Sequence, residues 1–122
     1  MERRVLIVDD DSNIRQLFSR ILSRGGYAVH SVESGTDALQ ALATEAPFDL
    51  MVLDLCMPKP DGFEILKEAR LQYPGLRILV VSGFYEGALL PASTFLGATA
   101  TLNKTEAPQT LLSVANELLQ CS

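Results

Sequence analysis

Three short apolar runs, Val5–Val8, Leu50–Leu53 and Ile78–Val81, constrain this chain more than any other feature of its sequence. Each is uninterrupted, and together they are rich in β-branched residues. A strand with one face in water alternates apolar and polar positions. A run that is apolar throughout needs cover on both faces, as strands of a parallel sheet have. Two weaker segments, Tyr27–Val32 and Ala98–Leu102, are smaller or more polar and read as outer strands.

Between these segments the apolar spacing turns helical. Ile14, Leu17, Phe18, Ile21 and Leu22 share one face of a helix, with Asp11 or Ser12 able to cap its start and Gly25-Gly26 to end it. Ala38, Leu39, Leu42 and Ala43 repeat the spacing after Ser34, which has Asp37 three residues on. Asp61 and Glu64 form a capping arrangement for a helix that stops by Tyr73-Pro74-Gly75. The last helix carries Pro108 in its first turn and Leu111, Leu112, Ala115, Leu118 and Leu119 on one face. In the segment from Phe84 to Leu96, Gly87 and Pro91 disfavour a long helix, so a long loop and a short helix starting near Leu90 are expected. Five strand–helix alternations predict an α/β fold, a doubly wound parallel sheet with right-handed crossovers.

A chain of 122 residues is expected to form one domain over 1–122 and to bury its core without a disulfide or metal. Ten Lys and Arg against 15 Asp and Glu argue against direct nucleic-acid binding, which needs clustered cations. Runs of four apolar residues fall far short of the roughly 20 that cross a bilayer. No membrane partner is expected, and the location expected is cytoplasmic. Cys56, Cys121 and the single His30 cannot make a Cys-rich metal site.

In doubly wound sheets the functional crevice lies beyond the carboxyl ends of the strands. Those ends carry Asp9-Asp10-Asp11, then Asp54, then Ser82, with Lys104 after the fifth strand. One strand-end aspartate is commonly a helix cap, the reading given to Asp11. Carboxylates gathered from separate strands repel one another unless a cation offsets them. Hard oxygen ligands favour Mg²⁺, which keeps several waters and takes one or two carboxylates plus phosphate oxygens. A lysine and a hydroxyl beside them suit a phosphoryl group, which a carboxylate can itself accept.

On these residues the chain resembles the receiver domain of two-component response regulators. The resemblance covers essentially the whole chain and rests on Val5–Asp11, Asp54–Glu64, Val80–Gly83, and Gly97-Ala98 followed by Lys104. It implies a flavodoxin-like sheet of five strands in the order 2-1-3-4-5, with helices on both faces. It also implies that Asp54 is the phospho-acceptor, taking its phosphoryl group from a phosphohistidine. Asp10 would bind Mg²⁺ directly, Asp9 largely through water, and the Cys56 carbonyl would be a further ligand beside Asp54. Ser82 and Lys104 would bind the phosphoryl oxygens. The implied chemistry is self-catalysed phosphorylation and dephosphorylation rather than conventional turnover. The implied partners are a sensor histidine kinase or phosphotransfer protein, and a downstream output domain or target that reads the segment near Leu90, the fifth strand and the last helix.

Two positions depart from the family pattern. Thr105 follows Lys104 where proline is usual, so a trans bond or a rearranged loop is expected there, a non-proline cis bond costing about 2.5–4 kcal/mol. Thr101 stands where an aromatic usually swings inward, so the common read-out is lost; Phe84 or Tyr85 is the candidate replacement ring. Cys56 is expected to offer only its carbonyl, His30 to be a surface residue, and Phe18 and Phe63 to be core. One rival is a phosphohydrolase of the haloacid dehalogenase type, suggested by Asp9-x-Asp11. Asn13 stands where that motif wants Thr or Val, and its late acidic pair has no counterpart after Lys104. A second rival is a degenerate receiver that binds partners without phosphorylation. With no output segment able to fit after Leu118, the expectation is a stand-alone receiver or a segment of a larger regulator or hybrid kinase.

Overall fold

The three apolar runs become the inner strands of a five-stranded sheet. The computed structural model describes residues 3–45, 47–55, 57–58, 61–83 and 97–120. Within them lie β1 (Arg4–Val8), α1 (Ser12–Arg24), β2 (Ala28–Val32), α2 (Gly35–Thr44), β3 (Leu50–Asp54), α3 (Gly62–Gln72), β4 (Arg77–Ser82), β5 (Ala100–Asn103) and α4 (Ala107–Gln120). The order is β2-β1-β3-β4-β5 and every pairing is parallel. The weaker segments are the edge strands, as their composition implied.

The absence of alternation in the inner strands now has its cause. Leu6 and Val8, Met51 and Leu53, and Ile78 and Val80 enter one core, closed by Ala38 and Ala41 of α2 and Ile65, Leu66 and Ala69 of α3. The intervening residues Val5, Ile7, Leu50, Val52, Leu79 and Val81 enter a second core, closed by Phe18 and Leu22 of α1 and Leu111, Ala115 and Leu119 of α4. Side chains alternate between faces along a strand, and here both faces are dry. Phe63 packs against the first core but is only half-buried, less than its apolar character suggested. His30 lies half-buried on edge strand β2 with its ring 6.2 Å from that of Phe48.

The helix ends follow short-range chemistry. The Asp11 carboxylate accepts from Asn13 N–H at 2.9 Å and Ile14 N–H at 3.4 Å, capping α1. Ser34 Oγ accepts from Asp37 N–H at 3.1 Å and caps α2. Asp61 and Glu64 exchange backbone-to-carboxylate bonds of 3.0 and 3.2 Å, a complete capping box on α3. Past α1, Gly26 takes φ +97°, the left-handed region that glycine enters freely.

The fifth strand starts two residues later than Ala98, where the sequence reading began it. Thr99 breaks the ladder there: its N–H donates to the Ile78 carbonyl at 2.8 Å, while its hydroxyl accepts from Ile78 N–H at 3.0 Å. The loop and short helix expected in 84–96, and the roles suggested for Phe84, Tyr85 and Cys56, lie outside the described residues. Among the described residues no helix is long and apolar enough to cross a membrane.

Candidate functional site

At the carboxyl end of the sheet, one ammonium group serves two buried carboxylates. Lys104 Nζ lies 3.2 Å from Asp9 Oδ2 and 3.3 Å from Asp54 Oδ2. Asp9 is 2% and Asp54 1% exposed, whereas Asp10 is exposed. Carboxylate oxygens of Asp9, Asp10 and Asp54 all come within 4.8 Å of one another, the single group among the described residues with donors set to hold a metal ion. Ser82 ends β4, the strand next to Asp54, and is fully buried.

Each side chain is aimed by its strand end. Asp54 is the last residue of β3, in register with Val81, and Leu55 N–H donates to the Val81 carbonyl at 3.3 Å. Asp9 directly follows β1. Its N–H donates to the Val32 carbonyl at 3.2 Å, its carboxylate accepts from Asp11 N–H at 2.9 Å, and its carbonyl accepts from Arg15 Nη1 at 2.7 Å. Lys104 follows β5, and its N–H donates to the Ser82 carbonyl at 2.7 Å. Beneath Asp54, Gly62 opens α3 so close to β3 that a Cβ on it would lie 2.4 Å from the Asp54 carbonyl oxygen.

Burial raises the Asp9 carboxyl above its ordinary pKa, against the opposing pull of the Asp11 amide and Lys104; the negative charge of Asp10 adds to the rise. Burial likewise disfavours the charge on Lys104, but attraction to Asp54 and Asp9 outweighs it and holds the ammonium above its ordinary value. The two directions agree physically. Lys104 is only half-buried and faces two carboxylates, whereas Asp9 is almost wholly buried, so loss of solvent weighs more on Asp9.

Three carboxylates against one ammonium leave two negative charges in excess when all are ionised. The donor set is all oxygen, which suits a hard divalent cation such as Mg²⁺. Ser82 Oγ has no hydrogen-bond partner in the described structure although it is fully buried. A buried hydroxyl left so costs free energy. A phosphoryl oxygen would satisfy it.

Residues 5–116 match the family of response regulator receiver domains. The chain belongs to that family. Among curated relatives, the receiver domain is 33% identical over 116 residues to response regulator receiver protein CpdR of Brucella abortus, covering 95% of this chain and 93% of CpdR. It is 36% identical over 120 residues to response regulator MprA of Mycobacterium tuberculosis, covering 98% of this chain but 52% of MprA. Among solved structures, the receiver domain of NtrX from Brucella abortus matches with TM-score 0.90 and 30% identity, covering 97% of this chain and 99% of that one.

Of the residues singled out from the sequence, this receiver domain brings Asp9, Asp10, Asp54 and Lys104 together, with Ser82 on the adjoining strand end. Asp11 stands apart as the α1 cap. Cys56 lies outside the described residues. Two contributors escaped the sequence reading. The close approach of Gly62 to β3 leaves no local trace in the sequence. Arg15 was not singled out; a residue in the first turn of a helix points back toward the N-terminus, a signal that could have suggested its reach to Asp9.

Proposed function

We propose that this receiver domain, one unit over 1–122, accepts a phosphoryl group on Asp54 from the phosphohistidine of a sensor kinase or phosphotransfer protein. The observation that carries the reading is the shared ammonium of Lys104, 3.2 and 3.3 Å from Asp9 and Asp54, beside the unpartnered hydroxyl of Ser82. An Asp54 carboxylate oxygen attacks phosphorus in line. The P–N bond breaks, and its electron pair stays on the departing imidazole nitrogen, which takes a proton from solvent. Lys104 and Ser82 then bind phosphoryl oxygens, as a charge and a hydrogen-bond donor. Asp9, Asp10 and Asp54, with the Cys56 carbonyl that the family pattern adds, would hold Mg²⁺. When bound, the ion supplies Lewis-acid neutralisation of phosphoryl charge.

The attached group adds about −1.5 to −2 charge, favouring the conformation that draws Ser82 and Lys104 inward. An output domain or target protein reads that change, and a cytoplasmic location belongs to the same reading. The phosphorylation-independent alternative is not favoured, since Asp9, Asp10, Asp54, Ser82 and Lys104 are all present. The test is incubation with Mg²⁺ and acetyl phosphate, where the P–O bond to acetate breaks instead. One acid-labile phosphoryl group per chain is expected, and none in Asp54→Asn. A wild-type chain that takes none overturns the proposal.

A further inference from the structure

The root of Lys104 is held from both sides. Its own N–H donates to the Ser82 carbonyl at 2.7 Å. The next amide, Thr105 N–H, donates to Asn103 Oδ1 at 3.0 Å, and the Thr105 hydroxyl donates to the same oxygen at 2.9 Å. The Asn103 carbonyl accepts from Glu106 N–H at 3.0 Å, closing a turn whose second residue is Lys104. We infer that Asn103 is a positioning residue for Lys104, acting through this turn to set the direction from which the ammonium reaches Asp9 and Asp54. The inference rests on the reading of Lys104 as the phosphoryl-binding cation.

A lysine side chain is long and flexible, so its reach is controlled mainly at the Cα. Both peptide groups flanking that Cα are tied here, one to β4 and one to Asn103. Asparagine suits the task because its short side chain bonds readily to the amide two residues on. Thr105 suits it because it offers both an N–H and a hydroxyl to one oxygen. A proline at 105 has no N–H to give, so this turn and a proline are mutually exclusive ways of setting the same lysine. Asn103 is in register with Ser82, which ties the turn to the strand that ends in the buried hydroxyl.

The experiment compares the full chain with Asn103→Ala and Asn103→Asp, each checked for folding by circular dichroism. Acylation of Lys104 by acetic anhydride is measured by peptide mass spectrometry against Lys67, exposed on α3. Loss of the acceptor in Asn103→Ala should raise the Lys104/Lys67 labelling ratio about threefold to tenfold, the range a lost hydrogen bond commands. Phosphorylation by acetyl phosphate should slow by a similar factor while Mg²⁺ affinity stays unchanged. Asn103→Asp keeps an acceptor oxygen and should label like wild type. An alanine variant that labels and phosphorylates like wild type overturns the inference, as does an aspartate variant as impaired as the alanine one. Should Asn103→Ala not fold, Asn103→Leu, which fills similar space without an acceptor, decides: a raised ratio supports the turn, a wild-type ratio overturns it. A wild-type chain refusing acetyl phosphate overturns the function proposed above, while the labelling ratio still judges the positioning.

Discussion

Replacing Gly62 with alanine tests how tightly helix α3 is seated under Asp54. A Cβ there would lie 2.4 Å from both the Asp54 carbonyl oxygen and Leu55 Cα, and 2.9 Å from Leu55 C. Ordinary contacts between carbon atoms are about 3.5–4.0 Å, so the overlap is near 1 Å and falls on backbone. The strand cannot yield easily, because β3 is paired on both sides. The helix must shift instead, and with it the buried Ile65, Leu66 and Ala69. Overpacking of this kind costs about 1–3 kcal/mol, offset by up to about 0.5–1 kcal/mol from alanine's helix preference. At about 3–6 °C per kcal/mol for a chain of this size, Gly62→Ala should melt lower, by up to roughly 15 °C. Gly75→Ala is the matched control: nothing lies within 4 Å of its Cβ position, and such a change should be neutral or stabilise by about 0.4–1 kcal/mol. Thermal unfolding followed by circular dichroism reads both variants. A Gly62→Ala protein melting at or above wild type refutes the close-approach argument. The clash falls on the Asp54 backbone itself, so phosphorylation at a temperature where the variant is fully folded should also slow.

Arg70 donates from three nitrogens to the carbonyls of Gly97, Pro74 and Leu76 at 2.7–3.0 Å, bracing α3 against the approach to β5. Arg70→Ala should cost about 2–4 kcal/mol in urea unfolding, and Arg70→Lys should recover little, because an ammonium lacks the planar fork. In metal-free buffer, the raised Asp9 pKa means that its ionised form opposes folding. Stability from this group is therefore lost as pH rises from the ordinary Asp value through the raised one. Asp9→Asn should be more stable than wild type at pH 7, with the advantage gone below about pH 3.9. Lys104, also raised, should stabilise fully below its ordinary value of about 10.4 and lose that contribution as pH climbs through its higher folded value. Mg²⁺ at a hundred times its dissociation constant should add about 2.7 kcal/mol of stability. Asp10→Asn should weaken that gain and chelation should remove it, both readable as melting shifts.

Much of the architecture was legible because it rests on interactions spanning a few residues. The caps at Asp11, Ser34 and Asp61 with Glu64 follow from which side chains reach an amide two or three positions on. The doubly covered strands followed from apolar runs with no polar break. The candidate site was legible for a different reason: parallel strands all end on the same side, so acids, a serine and a lysine at those ends share one rim. The boundary of β5 was less legible, since Thr99 looks like any strand residue until its hydroxyl takes a ladder position beside Ile78.

Among the described residues the sequence by itself determined which segments are strands and helices, the start of β5 apart, which residues cap them, and which polar groups stand at strand ends, since each depends on spacing or on near neighbours. Only the tertiary structure decided that one lysine serves both Asp9 and Asp54, that Gly62 must lack a side chain, that Arg15 secures the Asp9 carbonyl, and that Asn103 ties the amide beyond Lys104. Those arrangements depend on strand register and close packing between distant segments, and on the rotamers that packing leaves open. No short window of sequence contains that information.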